Sequence, residues 1–343
     1  MLGRYTGTPS DGTLDLRLSL HFVAGPLGWR DSLVVFAPRR KTHLAQRPRI
    51  AMDLTLLVDG QSVWLPAAAT VGVGIGLVAG LFGVGGGFLL VPLLHVFLGV
   101  PLVAAVGVAL CQTIATALGS FLRYRKLGHA ESRFDLMLLG GSVLGVHAGK
   151  RALEYFSASG LIQIGSTSIP THRVIITGLY VLLFSVLSFF LWTKSAEATG
   201  KVGPFCRVSI PPYTRLPVAG VERVSGPFVG TIGFINGMLA GLLGIGGGIC
   251  LVPIMLYGFG FDIRKVAGTG IVVVLVVALV GTFQYASAGH VHLGLAMTLM
   301  IGSGIAAQIG AGLTSSLSPR LLRKGLAVVM VITIVALLIK LFR

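Results

Sequence analysis

Hydrophobic residues occur along most of this chain in long runs that are separated by short polar stretches. The first part contains four such runs, at 66–100, 102–122, 134–149 and 174–192. The second part contains four more, at 226–261, 264–286, 293–313 and 322–340. A helix that crosses a bilayer needs about 20 predominantly apolar residues. The pattern therefore predicts an all-α polytopic membrane protein with about eight hydropathy peaks.

The opening run of each part is too long for a single crossing. As one helix, residues 66–100 would extend about 52 Å, whereas the hydrocarbon core is about 30 Å thick. Each opening run carries a glycine cluster near its centre, in "AGLFGVGGGFLLVP" (79–92) and "AGLLGIGGGICLVP" (240–253). Glycine is among the poorest helix formers. We therefore expect the chain to break at these clusters, either as a kink or as the tip of a hairpin.

The two parts of the chain repeat each other when the sequence is shifted by 161 residues. The two glycine stretches are then identical at ten of 14 positions. The register continues without a gap, placing Tyr124 on Tyr285 and Gly149 on Gly310. A shared pattern of this length indicates an internal duplication.

The duplication predicts a first membrane repeat at 52–192 and a second at 226–343, joined by a polar, proline-rich cytoplasmic linker at 193–225. Residues 1–51 fall outside the repeats, include the basic cluster "RRKTHLAQRPR" and contain no membrane-length run. Because Met52 stands just before the hydrophobic body, we expect this arm to be a basic surface segment or to lie outside the natural product.

Loop charges favour an inverted arrangement of the two repeats. The run 102–122 is followed by the basic segment "RYRKLGHAESR", whereas in the second part the basic segment "DIRK" precedes 264–286. Lys and Arg collect in cytoplasmic loops, so these equivalent helices are predicted to cross in opposite directions. Inversion requires an odd number of crossings per repeat, which three transmembrane helices plus one re-entrant hairpin provide.

Composition agrees with this class and narrows the partners. The chain is 54% hydrophobic and 11% charged, against about 25% charged residues in soluble domains. The net charge of +16 favours membrane orientation over nucleic-acid binding, because basic loops set topology. We expect a lipid bilayer as partner, no nucleic acid and no cofactor. The three cysteines lack metal-ligand spacing, and the oligomeric state is not predicted.

The glycine clusters are the main candidate site. Irregular backbone at membrane depth is tolerated where it lines a cavity or is buried in protein, and broken helices in repeats form transport sites. Main-chain N–H groups in such a break could bind an oxyanion, while tight helix packing is an equally open explanation. Candidate substrate-binding residues are Gly83, Gly85, Gly86, Gly87, Gln112, Thr113, Gly244, Gly246, Gly247, Gly248 and Thr269.

The paired motifs "GLFGVGGGFLLVPLL" and "GLLGIGGGICLVPIML" resemble the doubled signature of the sulfite exporter TauE/SafE family, over roughly residues 64–342. The resemblance implies a secondary permease or exporter for small anions, with sulfite, organosulfonates and related sulfur compounds as substrates, in a cell membrane such as the bacterial inner membrane. A membrane-embedded scaffold or assembly protein, or a membrane enzyme, is the alternative. No catalytic constellation supports an enzyme, and no metal site is predicted.

Overall fold

The computed structural model consists almost entirely of helices, with three short β-hairpins, one before the first helix and two between later helices. It describes residues 55–58, 61–97, 99–126, 132–158, 160–164, 167–193, 203–208, 210–216, 221–261, 263–314 and 316–341. The predicted arm at 1–51 lies outside the described residues, and the linker at 193–225 is described in part.

The first half follows the predicted series of apolar runs. Its helices are α1 (Leu65–Phe82), α2 (Gly87–Phe97), α3 (Leu102–Lys126), α4 (Ser132–Ala158) and α5 (Thr171–Thr193). The hairpin β1–β2 (Thr55–Val58, Gln61–Trp64) precedes α1, and β3–β4 (Leu161–Ile164, Thr167–Pro170) precedes α5. The sequence prediction contained no strands, because segments this short lie outside the apolar periodicity.

The second half repeats the helical order. After a 3-10 turn (Pro204–Arg207) and the hairpin β5–β6 (Tyr213–Leu216, Val221–Ser225), its helices are α6 (Gly226–Leu243), α7 (Gly248–Pro253), α8 (Ile263–Ser287), α9 (Leu293–Leu313) and α10 (Pro319–Leu341). A π-helical segment, Ile254–Phe259, continues α7. Phe205 of the linker packs edge-on against Phe228 and Phe259.

Seven helices in the described part of the chain are long and apolar enough to cross a membrane. They cover Leu65–Phe82, Leu102–Tyr124, Val174–Thr193, Gly226–Leu243, Gly268–Ser287, Leu293–Leu313 and Arg320–Ile339. Helix α4, the counterpart of α9, is 27 residues long but falls outside this set. Its apolar stretch ends at Gly149, after which Lys150, Arg151 and Glu154 follow.

The outer surface of the bundle is apolar, as a lipid-facing surface requires. Leu182 and Phe189 of α5 are 62% and 65% exposed, and Ile301 and Ile305 of α9 are 67% and 66% exposed. Polar side chains such as Gln112 are buried instead. This distribution, together with the seven apolar helices, defines a multi-pass membrane protein.

Glycine stripes join the first helix of each half to the fourth helix of the other, α1 to α9 and α6 to α4. On α1, Gly72, Gly76 and Gly80 face the main chain of α9, where a Cβ would collide with the carbonyl oxygens of Leu299, Ser303 and Ala307. Their counterparts on α6 face the main chain of α4 in the same way, at Gly233–Leu138, Gly237–Ser142 and Gly241–Val146. Small residues that let helix backbones approach are typical of membrane helix interfaces.

Candidate functional site

The predicted break occurs at the glycine clusters in both halves. Helix α1 ends at Phe82 and α2 begins at Gly87, while α6 ends at Leu243 and α7 begins at Gly248. Gly83 and Gly244 close α1 and α6 in the left-handed conformation, with φ of 65° and 68°. A residue with a Cβ is disfavoured there. We call residues 83–87 and 244–248 the first and second glycine tips.

The two glycine tips contact each other at the centre of the molecule. A Cβ on Gly87 would collide with the carbonyl oxygen of Gly244, and a Cβ on Gly248 would collide with that of Val84. Val84 and Ile245 at the tips are both 0% exposed. The structure therefore brings together the candidate glycines of both halves in one buried place, and the absence of side chains permits it.

Gln112 lies beside the first tip. It belongs to α3 and is 0% exposed, and a Cβ on Gly86 would lie 2.7 Å from its Oε1 and 2.9 Å from its Nε2. Neither atom has a hydrogen-bond partner in the structure. A buried amide without partners costs about 1–3 kcal/mol, so this arrangement is unfavourable for folding alone.

Asn236 of α6 occupies the corresponding place beside the second tip. It is 1% exposed, and a Cβ on Gly247 would lie 2.7 Å from its Nδ2 and 3.4 Å from its Oδ1. Both atoms of this amide also lack a hydrogen-bond partner. The sequence prediction missed Asn236, because its polar candidates were taken from the helix that follows each glycine cluster, whereas Asn236 precedes the second cluster, and its equivalent in the first half is the apolar Ile75. A single amide in an otherwise apolar α6 was the signal that could have identified it.

The two candidate threonines have different surroundings. Thr113 touches both tips, since Cβ atoms on Gly85 and Gly246 would lie 3.0 Å and 2.9 Å from its Cγ2. Its Oγ1 donates a hydrogen bond to the carbonyl oxygen of Ala109 at 2.7 Å. Thr269 is buried on α8, but the closest neighbours of the tip glycines are other residues.

Tyrosine hydroxyl groups bind the carbonyl ends of the broken helices. Tyr124 donates to the carbonyl oxygen of Gly80 at 3.0 Å, and its counterpart Tyr285 donates to that of Gly241 at 2.7 Å. Thr314 donates to the carbonyl oxygen of Leu81 at 2.8 Å. The last carbonyls of a helix have no partners within it, so these hydroxyl groups stabilise the places where α1 and α6 end.

The surroundings of the tips are polar but uncharged. Among the described residues, the buried carboxylate is that of Asp135, in the first turn of α4, and the buried guanidinium is that of Arg323, on α10. Neither is among the closest neighbours of a tip glycine. No group of three or more His, Cys, Asp or Glu side chains suited to a metal ion is found in the described part of the chain.

The bundle is built from apolar helices, and its two broken helices meet beside buried polar side chains. This arrangement identifies the protein as a polytopic membrane protein with a buried polar site. The chain belongs to the sulfite exporter TauE/SafE family, whose model matches residues 68–337. The family expected from the paired glycine motifs is thereby confirmed.

Three relatives are named as membrane transporters. The probable membrane transporter protein YunE of Bacillus subtilis is 27% identical over 280 residues, covering 77% of this chain and 93% of the relative. YdhB of the same organism is 22% identical over 251 residues, covering 73% and 90%. A probable membrane transporter protein of Haemophilus influenzae is 24% identical over 294 residues, covering 79% and 96%. No solved structure matches the chain.

Proposed function

We propose that this protein is a secondary permease for small oxyanions of sulfur, such as sulfite and organosulfonates, and that it binds them at the two glycine tips, beside the amides of Gln112 and Asn236. The family supports membrane transport. The observation that carries the choice of site is the pair of buried amides without partners, Gln112 and Asn236, beside equivalent glycines. An oxyanion at the tips would accept hydrogen bonds from the N–H groups of both amides, which have no acceptor in the structure.

Main-chain groups add donors to the proposed site. Helix α2 begins at Gly87 and runs for 11 residues. The N–H groups in the first turn of a helix have no acceptor within it and carry positive partial charge. Gly85, Gly86 and Gly87 leave these groups uncovered by side chains. The anion therefore meets main-chain N–H groups and the Gln112 amide on the side of the first tip.

The proposed cycle begins from an occluded state. Gln112 and Thr113 are 0% exposed and Asn236 is 1% exposed, so an anion bound there is sealed from water on both sides. Loading and release require the packed units to move relative to each other. The glycine-packed pairs α1–α9 and α4–α6 are the natural rigid units, because each joins one half to the other.

Transport and binding measurements test the proposed site. Gly86→Ala adds a methyl group against the Gln112 amide. The φ of Gly86 is not positive, so an alanine can adopt this backbone conformation. We expect it to lower the affinity for sulfite by about tenfold or more, since an amide contact to an anion is worth roughly 1.5–3 kcal/mol. Uptake of labelled sulfite into proteoliposomes and binding to purified protein measure this effect.

Gly74→Ala is the matched control for Gly86→Ala, because a Cβ at Gly74 meets nothing within 4 Å. It should bind and transport as the unsubstituted protein does. The packing explanation makes the opposite forecast for Gly86→Ala, namely a lower melting temperature with unchanged affinity. That result would contradict the proposed site.

We also propose that the two halves have inverted topology, with each tip at the end of a re-entrant hairpin. The support is the reversed charge of equivalent loops. In a protein without Cys111, Cys206 and Cys250, single cysteines at Gly160 and Ser316 should react with impermeant reagents from opposite sides of the membrane. Both positions are exposed and lie in corresponding loops. Reaction of both from the same side would contradict inversion and favour parallel repeats.

A further inference from the structure

We infer that the amides of Gln112 and Asn236 make the central site selective for monovalent oxyanions over divalent ones. This inference rests on the proposed function, because it specifies the charge of the anion bound at the glycine tips. For sulfite it selects the singly charged hydrogensulfite form.

The argument begins from the lack of compensating charge around the tips. The closest neighbours of Gly86 and Gly247 are Ile75, Gln112 and Asn236, none of which is ionisable. Among the described residues, the buried guanidinium of Arg323 contacts Tyr257 and lies on another element, α10. Favourable interactions with an anion therefore come from amide and main-chain dipoles.

The cost of desolvation then separates anions by valence. An ion placed in a low-dielectric interior without a counter-charge loses a large hydration free energy. That energy grows with the square of the charge, so a dianion costs about four times as much as a monoanion of the same size. Favourable dipole interactions grow only in proportion to the charge. A site built from neutral groups at full burial therefore favours the monoanion.

The chemistry of the amide itself adds to this preference. Each amide offers two N–H donors and one carbonyl acceptor. A Cβ on Gly86 would lie 2.7 Å from the Oε1 of Gln112 and 2.9 Å from its Nε2, so both ends of the amide face the first tip. A carbonyl oxygen repels a fully deprotonated oxyanion, but it accepts a hydrogen bond from an anion that retains a proton. The Nε2 of Gln112 can donate to any oxyanion, whereas its Oε1 gains a partner only from an anion with a hydroxyl group. For sulfite this contact favours hydrogensulfite over the dianion, and it adds nothing for anions without a proton, such as methanesulfonate and perchlorate.

Binding of anions with fixed charge to the purified full chain tests the inference. Methanesulfonate is monovalent, and perchlorate and sulfate share a tetrahedral shape but differ in charge. We expect methanesulfonate and perchlorate to bind. The affinity for sulfate should be lower than theirs by a factor of about ten or more. Sulfate binding as tight as that of methanesulfonate would overturn the inference while leaving the proposed function in place. Absence of binding by all anions, sulfite included, would overturn both.

Two substitutions change the charge of the site directly. Asn236→Asp keeps the side-chain shape and replaces the amide with a carboxyl group, whose ionised form is disfavoured by burial, so at a pH at which it is ionised it should abolish binding of methanesulfonate and perchlorate. Gln112→Lys adds a positive charge. It should reduce the ratio of the affinity for methanesulfonate to the affinity for sulfate by about tenfold or more. If either variant fails to fold, Asn236→Ala removes the same donors without adding charge and should weaken both monovalent anions. Unchanged affinities in folded Asn236→Asp or Asn236→Ala protein would overturn the assignment of selectivity to these amides.

Discussion

In the first half, Gly86 lies beside the amide of Gln112, and in the second half its equivalent Gly247 lies beside the amide of Asn236. The two amides do not occupy equivalent positions in the sequence. Gln112 belongs to α3, whose counterpart position in α8 is Val273, and Asn236 belongs to α6, whose counterpart in α1 is Ile75. The same group thus reaches equivalent glycines from two different helices.

The framework of the two halves shows no such difference. The stripe of Gly72, Gly76 and Gly80 recurs in α6, and each stripe packs on the fourth helix of the other half. Tyr124 and Tyr285 bind equivalent helix-end carbonyls. Backbone packing is therefore the same in both halves. The amides beside the two tips share only their location, because they come from different helices. We infer that the amide is required at that place and that its helix of origin is not.

The glycine stripes should respond equally in both halves and with the largest effect. Gly76→Val and Gly237→Val place a side chain against the main chain of Ser303 and of Ser142, which cannot move aside without separating the helices. Overpacking typically costs 1–3 kcal/mol and occasionally more, so we expect a loss of about 3 kcal/mol or more in each. Folded yield and melting temperature in detergent measure it.

Gly74→Val is the control for the stripes, because Gly74 lies on the open face of α1 between two stripe positions. It should fold with little change. A loss of stability in one stripe variant but not in the other would show that the two helix interfaces differ in energy although they share a geometry.

Much of this framework could be predicted from the sequence. The apolar runs located the helices to within a few residues at most ends, and the duplicated clusters located both breaks, since α1 ends at Phe82 and α6 at Leu243. Run length and glycine content determine these features locally. The three β-hairpins were not predicted. Helix α4 continues to Ala158, past the predicted end at 149, because helix propensity persists after the apolar residues stop.

The candidate site could be predicted only in part. The sequence pointed to Gln112 and Thr113 as polar residues in the helix that follows the first glycine cluster, and both lie at the tips, whereas Thr269, chosen at the matching level of the second half, is not among the closest neighbours of the tip glycines. Asn236 was missed because it lies on the helix that precedes the second cluster. A side chain that reaches the same place from a neighbouring helix becomes visible only when the helices are packed. The binding role of all these residues stays a prediction.

Removing either amide should have opposite effects on stability and on binding. Gln112→Met and Asn236→Leu replace a buried amide without partners by an apolar side chain of similar size. We therefore expect the free energy of unfolding to rise by up to about 1–3 kcal/mol in each. The affinity for sulfite should fall roughly tenfold to a hundredfold. Melting and binding measured on the same samples test both changes. Lower stability with unchanged affinity would mean that the amides serve the fold.

A compensating exchange sharpens the comparison between the halves. Asn236→Ile combined with Val273→Gln removes the second-half amide from α6 and places one on α8, as in the first half. If only the place of the amide matters, the double variant should recover most of the affinity that Asn236→Ile loses. Val273→Gln alone serves as the control for the added side chain. Failure to recover any affinity would show that the helix of origin matters.

The helix-end tyrosines should give the smallest effect, and that effect should be similar in the two halves. Tyr124→Phe and Tyr285→Phe each remove one hydrogen bond to a helix-end carbonyl, worth about 0.5–1.5 kcal/mol. Each broken helix keeps a second donor at its end, because Thr314 donates to a carbonyl oxygen at the end of α1 and Tyr180 donates to one at the end of α6. We therefore expect small and similar decreases in melting temperature for the two single variants. Thr314→Val combined with Tyr124→Phe removes both donors from the end of α1 and should destabilise the protein more than Tyr124→Phe alone. A loss no larger than that of Tyr124→Phe would mean that Thr314 does not support the end of α1.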